Sequence, residues 1–116
     1  MKEYQIQIKL INYLKQKKLS KLRFFHIPNQ GVRSIKYKML LAKMGMKSGC
    51  PDLILEFKGG KIVYIELKTL KGSLSKSQKL WQNVSNALKT PHYILKGEIN
   101  DLFIQLNNII TKHYEA

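Results

Sequence analysis

Hydrophobic positions follow two rhythms along this chain. From residue 2 to 18 they recur every three or four residues, at Tyr4, Ile8, Ile11 and Leu14. That spacing predicts an amphipathic helix with those four side chains facing inward. Glu3 falls in its first turn, and Lys15, Lys17 and Lys18 in its last, which suits the helix dipole at both ends. Residues 22–27 (LRFFHI) read as a strand stopped by Pro28, followed by a PNQG loop. Ser34 is placed to cap a second helix over 35–44, with Leu40, Leu41 and Met44 inward and Gly45 as its stop. Strands follow at 52–57 and 61–68, joined through Lys58-Gly59-Gly60. Ser75-Lys76-Ser77-Gln78 matches a capping box and opens a third helix. Its apolar stripe is Trp81, Val84, Ala87 and Leu88, and Pro91 ends it. Residues 92–95 form a fourth strand. A last helix opens at Glu98 or Asn100, with Leu102, Phe103, Leu106, Ile109 and Ile110 inside.

The order α-β-α-β-β-α-β-α predicts an α/β fold: a four-stranded mixed sheet with helices on both faces. The 116 residues fit one domain, 1–116, with no repeat, linker or low-complexity tract.

Charge changes the picture. Lys plus Arg number 21 against 7 Asp plus Glu, giving a net charge of +14. A field of that size attracts polyanions, with nucleic acid ahead of an anionic membrane because no helix pairs a basic face with a bulky apolar one. No run reaches the ~20 apolar residues of a membrane span, and the N-terminus lacks a secretory signal pattern. The single cysteine, Cys50, excludes an internal disulfide and a cysteine-built metal cluster. A cytoplasmic location is expected.

With acids so scarce, two of them stand out. Asp52 and Glu66 sit in segments that otherwise read as sheet core, where a carboxylate is costly unless paired or bound to metal. Side-chain alternation puts Glu66 and Lys68 on one face of their strand. The turn decides whether Asp52 joins them. A two-residue Gly59-Gly60 turn pairs Leu53 with Glu66 and turns Asp52 away. A three-residue Lys58-Gly59-Gly60 loop pairs Phe57 with Lys61 and sets Asp52 opposite Glu66; a β-bulge near Asp52 does the same. Two carboxylates facing each other repel, and a hard divalent ion, Mg²⁺ or Mn²⁺, relieves the repulsion. Lys68 on that face is suited to the charge of a phosphoryl transition state. Two acids and a lysine in a basic domain argue for phosphodiester hydrolysis.

Pro51-Asp52, thirteen residues, then Glu66-Leu67-Lys68 resembles the signature of the PD-(D/E)XK nucleases. The longer pattern narrows this. Gly49-Cys50-Pro51-Asp52-Leu53, then Tyr64-Ile65-Glu66-Leu67-Lys68-Thr69, then Gly72, Leu74, Ser75 and Gln78 is similar to the virus-type replication–repair nuclease domain, VRR-NUC. The resemblance runs from the first helix to about Leu95. It implies a restriction-endonuclease-like core and a metal-dependent DNA endonuclease. It implies metal ligation by Asp52, Glu66 and the Leu67 carbonyl, with Glu3 as a first-helix acid near the metal. It implies catalytic roles for Asp52, Glu66, Lys68 and Gln78, branched DNA as substrate in the manner of Holliday-junction resolvases, and a homodimer.

Arg33, Lys36, Lys38, Lys43 and Lys47 before Asp52, with Lys71 and Lys76 after Lys68, are candidates for phosphate contacts. The plainer reading of these lysines is a solvated surface. Gln78 has a structural explanation as the capping partner of Ser75, and Glu3 one as a helix-dipole acid. His26 reads as structural or as a neighbour of the site, Cys50 as an incidental thiol, and Trp81 as core or interface. The apolar last helix and the loop around 28–33 are the expected dimer surfaces. The alternative function is a non-catalytic nucleic-acid-binding module on the same fold; retention of Asp52, Glu66 and Lys68 counts against it. A ribosomal-type RNA binder explains the charge but not the buried carboxylates.

Overall fold

A computed structural model describes residues 1–27 and 34–114. The elements are α1 (Glu3–Lys17), β1 (Leu22–Phe25), α2 (Ile35–Lys43), β2 (Leu53–Phe57), β3 (Lys61–Lys68), α3 (Lys76–Ala87), β4 (His92–Lys96) and α4 (Ile99–His113), in the expected order. The four strands form one mixed sheet in the order β1-β2-β3-β4. β1–β2 and β2–β3 are antiparallel, and β3–β4 is parallel.

One face of the sheet is sealed. Leu53, Leu55 and Phe57 of β2, Val63, Ile65 and Leu67 of β3, and Leu95 of β4 pack with Ile6, Leu10 and Leu14 of α1 and Leu102, Leu106, Ile109 and Ile110 of α4. The strand residues alternate, so this face takes every second side chain. The other face carries Ile54, Ile62, Tyr64, Glu66 and Lys68. α3 lies on that side, with the Trp81 ring edge-on to Tyr64, centroids 5.7 Å apart.

The inward faces of three helices differ from the sequence expectation. In α1 the buried row is Ile6, Leu10 and Leu14, while Tyr4 and Ile8 are exposed. The helix carries two apolar rows, and only the row that meets α4 and β3 is covered. In α2 no residue is buried; Leu40 and Met44 are exposed and Leu41 is half-buried. In α3 only Ser85 is buried, its hydroxyl donating to the Trp81 carbonyl, and Val84, Ala87 and Leu88 point to solvent. β1 stops at Phe25, short of His26 and Ile27.

The hairpin register is the three-residue one. Phe57 pairs with Lys61 and Leu53 with Ile65. Gly60 donates its N–H to the Phe57 carbonyl, and both Gly59 and Gly60 hold positive φ, +82° and +76°, which a side chain disfavours. This turn sets the alternation for everything beyond it.

Candidate functional site

β2 begins at Leu53, whereas β3 continues to Lys68 alongside β4. Glu66 and Leu67 therefore extend past the end of β2. Asp52, one residue before β2, fills the gap with its side chain: Oδ2 accepts from the Leu67 N–H at 2.7 Å. A carboxylate thus takes the place of a missing strand carbonyl, which fixes it against Glu66.

Both acids are enclosed. Asp52 is 4% exposed and Glu66 1%. Neither carboxylate oxygen of Glu66 receives a hydrogen bond. Burial, then the neighbouring Asp52 side chain and its charge, push the Glu66 carboxyl up to about 9, with Glu3 adding to the rise and Lys68 opposing it. A proton on Glu66 supplies the donor that two ionised carboxylates lack. Glu3 is half-buried in the first turn of α1.

A buried, undonated carboxylate beside a second one is a donor set that fits a hard cation. Among the described residues no three His, Cys, Asp or Glu side chains gather closely enough to hold an ion by themselves. The set therefore fits an ion completed by main-chain oxygen, water or phosphate, as Mg²⁺ is usually held.

Lys68 is half-buried on the same face as Glu66. Its stem runs beside Gly72, where an added Cβ would lie 3.4 Å from Lys68 Cδ. Lys96 is the β4 register partner of Lys68, and its Nζ donates to the Gly72 carbonyl at 2.6 Å. The 69–72 turn is thereby tied down over the lysine.

The loop carrying Asp52 is held on two sides. His26 Nδ1 donates to the Asp52 carbonyl at 2.6 Å; a carbonyl only accepts, so the proton is on Nδ1. Gly49, at φ +81°, lies so close to α3 that a Cβ would fall 2.3 Å from the Ser77 carbonyl oxygen. Gln78 caps α3, its side-chain oxygen accepting from the Ser75 N–H at 2.8 Å while the Ser75 hydroxyl accepts from the Gln78 N–H. Gln78 thus stabilises the helix end against which Gly49 rests. Cys50 stands near enough to both acids that burial, then the charges of Glu66 and Asp52, raise its thiol. The sequence carried no signal for that approach beyond the adjacency of Cys50 to Pro51 and Asp52.

The basic candidates Lys36, Lys38, Lys43, Lys47, Lys71 and Lys76 are all exposed. Arg33 and the loop 28–33 lie outside the described residues. Glu56 shares a strand face with Asp52 but is engaged elsewhere, its Oε1 accepting from Arg23 Nε at 2.6 Å.

The sequence profile of the VRR-NUC domain matches residues 1–97. Among solved structures, a protein described as "VRR_NUC domain protein" superposes with a TM-score of 0.74 over 96% of this chain and 89% of its own, at 19% sequence identity. At that identity the likeness speaks for the fold. No curated protein sequence matches the chain.

Proposed function

The chain belongs to the VRR-NUC family, whose fold is of nuclease type, and from that premise we propose that it is a divalent-metal-dependent DNA endonuclease acting on branched DNA. The observation that carries this reading is Glu66: a buried carboxylate without a donor, beside Asp52, on the face that also carries Lys68. Asp52 and Glu66 would hold Mg²⁺ or Mn²⁺. The Leu67 carbonyl would be a further ligand, since the N–H and C=O of one strand residue leave the same edge, and the Leu67 N–H faces Asp52. Glu3 contributes negative charge from the first turn of α1. When bound, the ion supplies Lewis-acid polarisation of the scissile phosphate and lowers the pKa of water.

The chain's own groups do the rest. Lys68, held under the 69–72 turn, neutralises charge that develops on the phosphoryl oxygens. Gln78 positions the Asp52 loop through α3 and Gly49. Lys36, Lys38, Lys43, Lys47, Lys71 and Lys76, with Arg33, hold the DNA backbone, and the +14 charge makes that binding salt-sensitive. The working species is a homodimer, which suits two incisions on a branched substrate.

Glu66→Gln tests the reading on a panel of branched, flapped, single-stranded and duplex DNA with Mg²⁺. Cleavage is expected to fall by about 10³-fold or more, with DNA affinity kept or increased because a negative charge is lost. Full retained cleavage by Glu66→Gln contradicts the assignment. Lys68→Ala is expected to lower cleavage by roughly 10²–10³-fold with little change in metal affinity.

A further inference from the structure

A groove of about 490 Å³ lies between α3 and the sheet face that carries Glu66. Tyr64 and Trp81 both line it, with ring centroids 5.7 Å apart and planes at 73°, so the two rings form an aromatic corner. Leu80, Val84 and Leu88 make an i, i+4, i+8 wall along α3, exposed at 63%, 48% and 72%. Lys47, from the loop that leads to Asp52, brings a positive charge to the edge. A cavity of this size, mostly apolar and aromatic with a few polar groups, has the character of a small-ligand pocket. The phosphodiester chemistry assigned to Asp52, Glu66 and Lys68 makes no use of it.

The groove and the candidate cation site share two elements. Tyr64 precedes Glu66 by two positions on β3 and shares its face, so their side chains leave the strand about 7 Å apart. The loop runs from Lys47 through Gly49, which is wedged against Ser77 of the groove, to Asp52. A phosphate at Asp52 and Glu66 therefore has the aromatic corner one sugar away. We propose that the groove takes an unpaired nucleobase of the substrate, from a nucleotide flanking the scissile phosphate. The base stacks on Tyr64 and Trp81 against the Leu80–Val84–Leu88 wall, and its backbone passes Lys47. The proposal rests on the nuclease reading above and gives that site a means of selecting branched DNA. A base in a duplex must be unpaired and unstacked to enter, whereas one at a branch or flap is already free. Aromatic faces accept any base, so the selection is for an unpaired nucleotide and not for a sequence. An apolar protein segment is the poorer occupant, because a chain of net charge +14 with a lysine at the groove recruits polyanions.

Trp81 is the one tryptophan of the chain, so its fluorescence reads the groove directly. The full chain is titrated, in metal-free buffer that leaves DNA intact, with a short oligothymidylate, an abasic strand of equal length and a duplex. Anisotropy of labelled DNA establishes saturation in each case. The oligothymidylate is expected to quench Trp81, the abasic strand and the duplex to leave its emission nearly unchanged. The abasic strand, equal in charge, is expected to bind about tenfold more weakly than the oligothymidylate. On branched DNA with Mg²⁺, abasic nucleotides are then placed one at a time around the cleavage point. One position is expected to slow cleavage about tenfold, and Tyr64→Leu to slow the intact substrate similarly while adding little on that abasic one. Absence of quenching, equal quenching by all three DNAs, an abasic scan with no sensitive position, or a Tyr64→Leu defect undiminished on the abasic substrate each overturns the proposal. Glu66→Gln is expected to be quenched like wild type. Quenching by the oligothymidylate in a wild-type protein that cleaves nothing therefore counts against the nuclease reading alone, and cleavage without quenching against the groove alone.

Discussion

The two faces of the sheet are built to different rules. The α1/α4 face buries leucine and isoleucine from five elements, with Leu10, Leu53, Leu55, Ile65, Leu102 and Leu106 at 0% exposure. The α3 face does the reverse. It buries carboxylates at Asp52 and Glu66, leaves Trp81 Nε1 and His92 Nδ1 enclosed without hydrogen-bond partners, and turns Leu80, Val84 and Leu88 of α3 outward. Stability resides on the first face, which lets the second carry groups that are costly in a folded chain. Orphaned polar atoms and unpartnered apolar residues on one side of a domain are the expected marks of binding and chemistry there.

The contrast breaks most visibly on truncation. Leu106→Ala, in the sealed face, is expected to cost about 2–5 kcal/mol in chemical denaturation. Leu88→Ala is expected to stay within about 0.5 kcal/mol when the protein is dilute enough to be monomeric. A large loss at Leu88 under those conditions would mean the α3 row is core after all. Next come two glycines. Gly49→Ala forces a Cβ against the Ser77 carbonyl, and a destabilisation of roughly 2–3 kcal/mol with a parallel drop in cleavage is expected. Gly59→Ala, with open space around the Cβ but the same positive φ, is expected to cost about 1 kcal/mol and leave cleavage unchanged.

The carboxylate pair sharpens the comparison through pH. The Glu66 carboxyl is raised from an ordinary 4.5 to about 9, so the folded metal-free chain holds a proton there that the unfolded chain has lost. That contribution to stability is complete below about 4.5 and disappears as pH rises through about 9. Thermal melts without metal are therefore expected to fall between pH 5 and 9. Mg²⁺ is expected to raise the melting temperature more at pH 8 than at pH 5.5, because the ion must displace that proton. Glu66→Gln, which removes the buried charge, is expected to melt higher than wild type at pH 8 without metal and to lose the Mg²⁺ effect. A small effect is also expected of Arg23→Ala. It removes the exposed ion pair to Glu56 and is expected to cost no more than about 1 kcal/mol.

Much of this was legible in the chain itself. Element order followed from the change between the two hydrophobic periods. The choice between two hairpin registers reduced to one question about Lys58-Gly59-Gly60, and the three-residue loop answers it in favour of Asp52 opposing Glu66. Helix faces were less legible. α1 carries Tyr4 and Ile8 as well as Ile6 and Leu10, and period alone does not tell which row finds a partner. α2 and α3 have helical period without burial, since an apolar stripe reads the same whether the chain itself or another molecule covers it. The site's supports were hidden for another reason. The Lys96 bond to Gly72, the His26 bond to the Asp52 carbonyl and the approach of Cys50 join residues distant in sequence or depend on main-chain direction, which periodicity does not encode.

The central claim is that Asp52 and Glu66 form a cation site from which the Glu66 proton leaves on binding. Calorimetric titration of Mn²⁺ into the protein at about pH 7.5, in two buffers of different ionisation enthalpy, tests it directly. One saturable event is expected, with about one proton released per ion, abolished by both Asp52→Asn and Glu66→Gln. Binding of equal strength in wild type and Glu66→Gln, or no saturable heat in wild type, would contradict it.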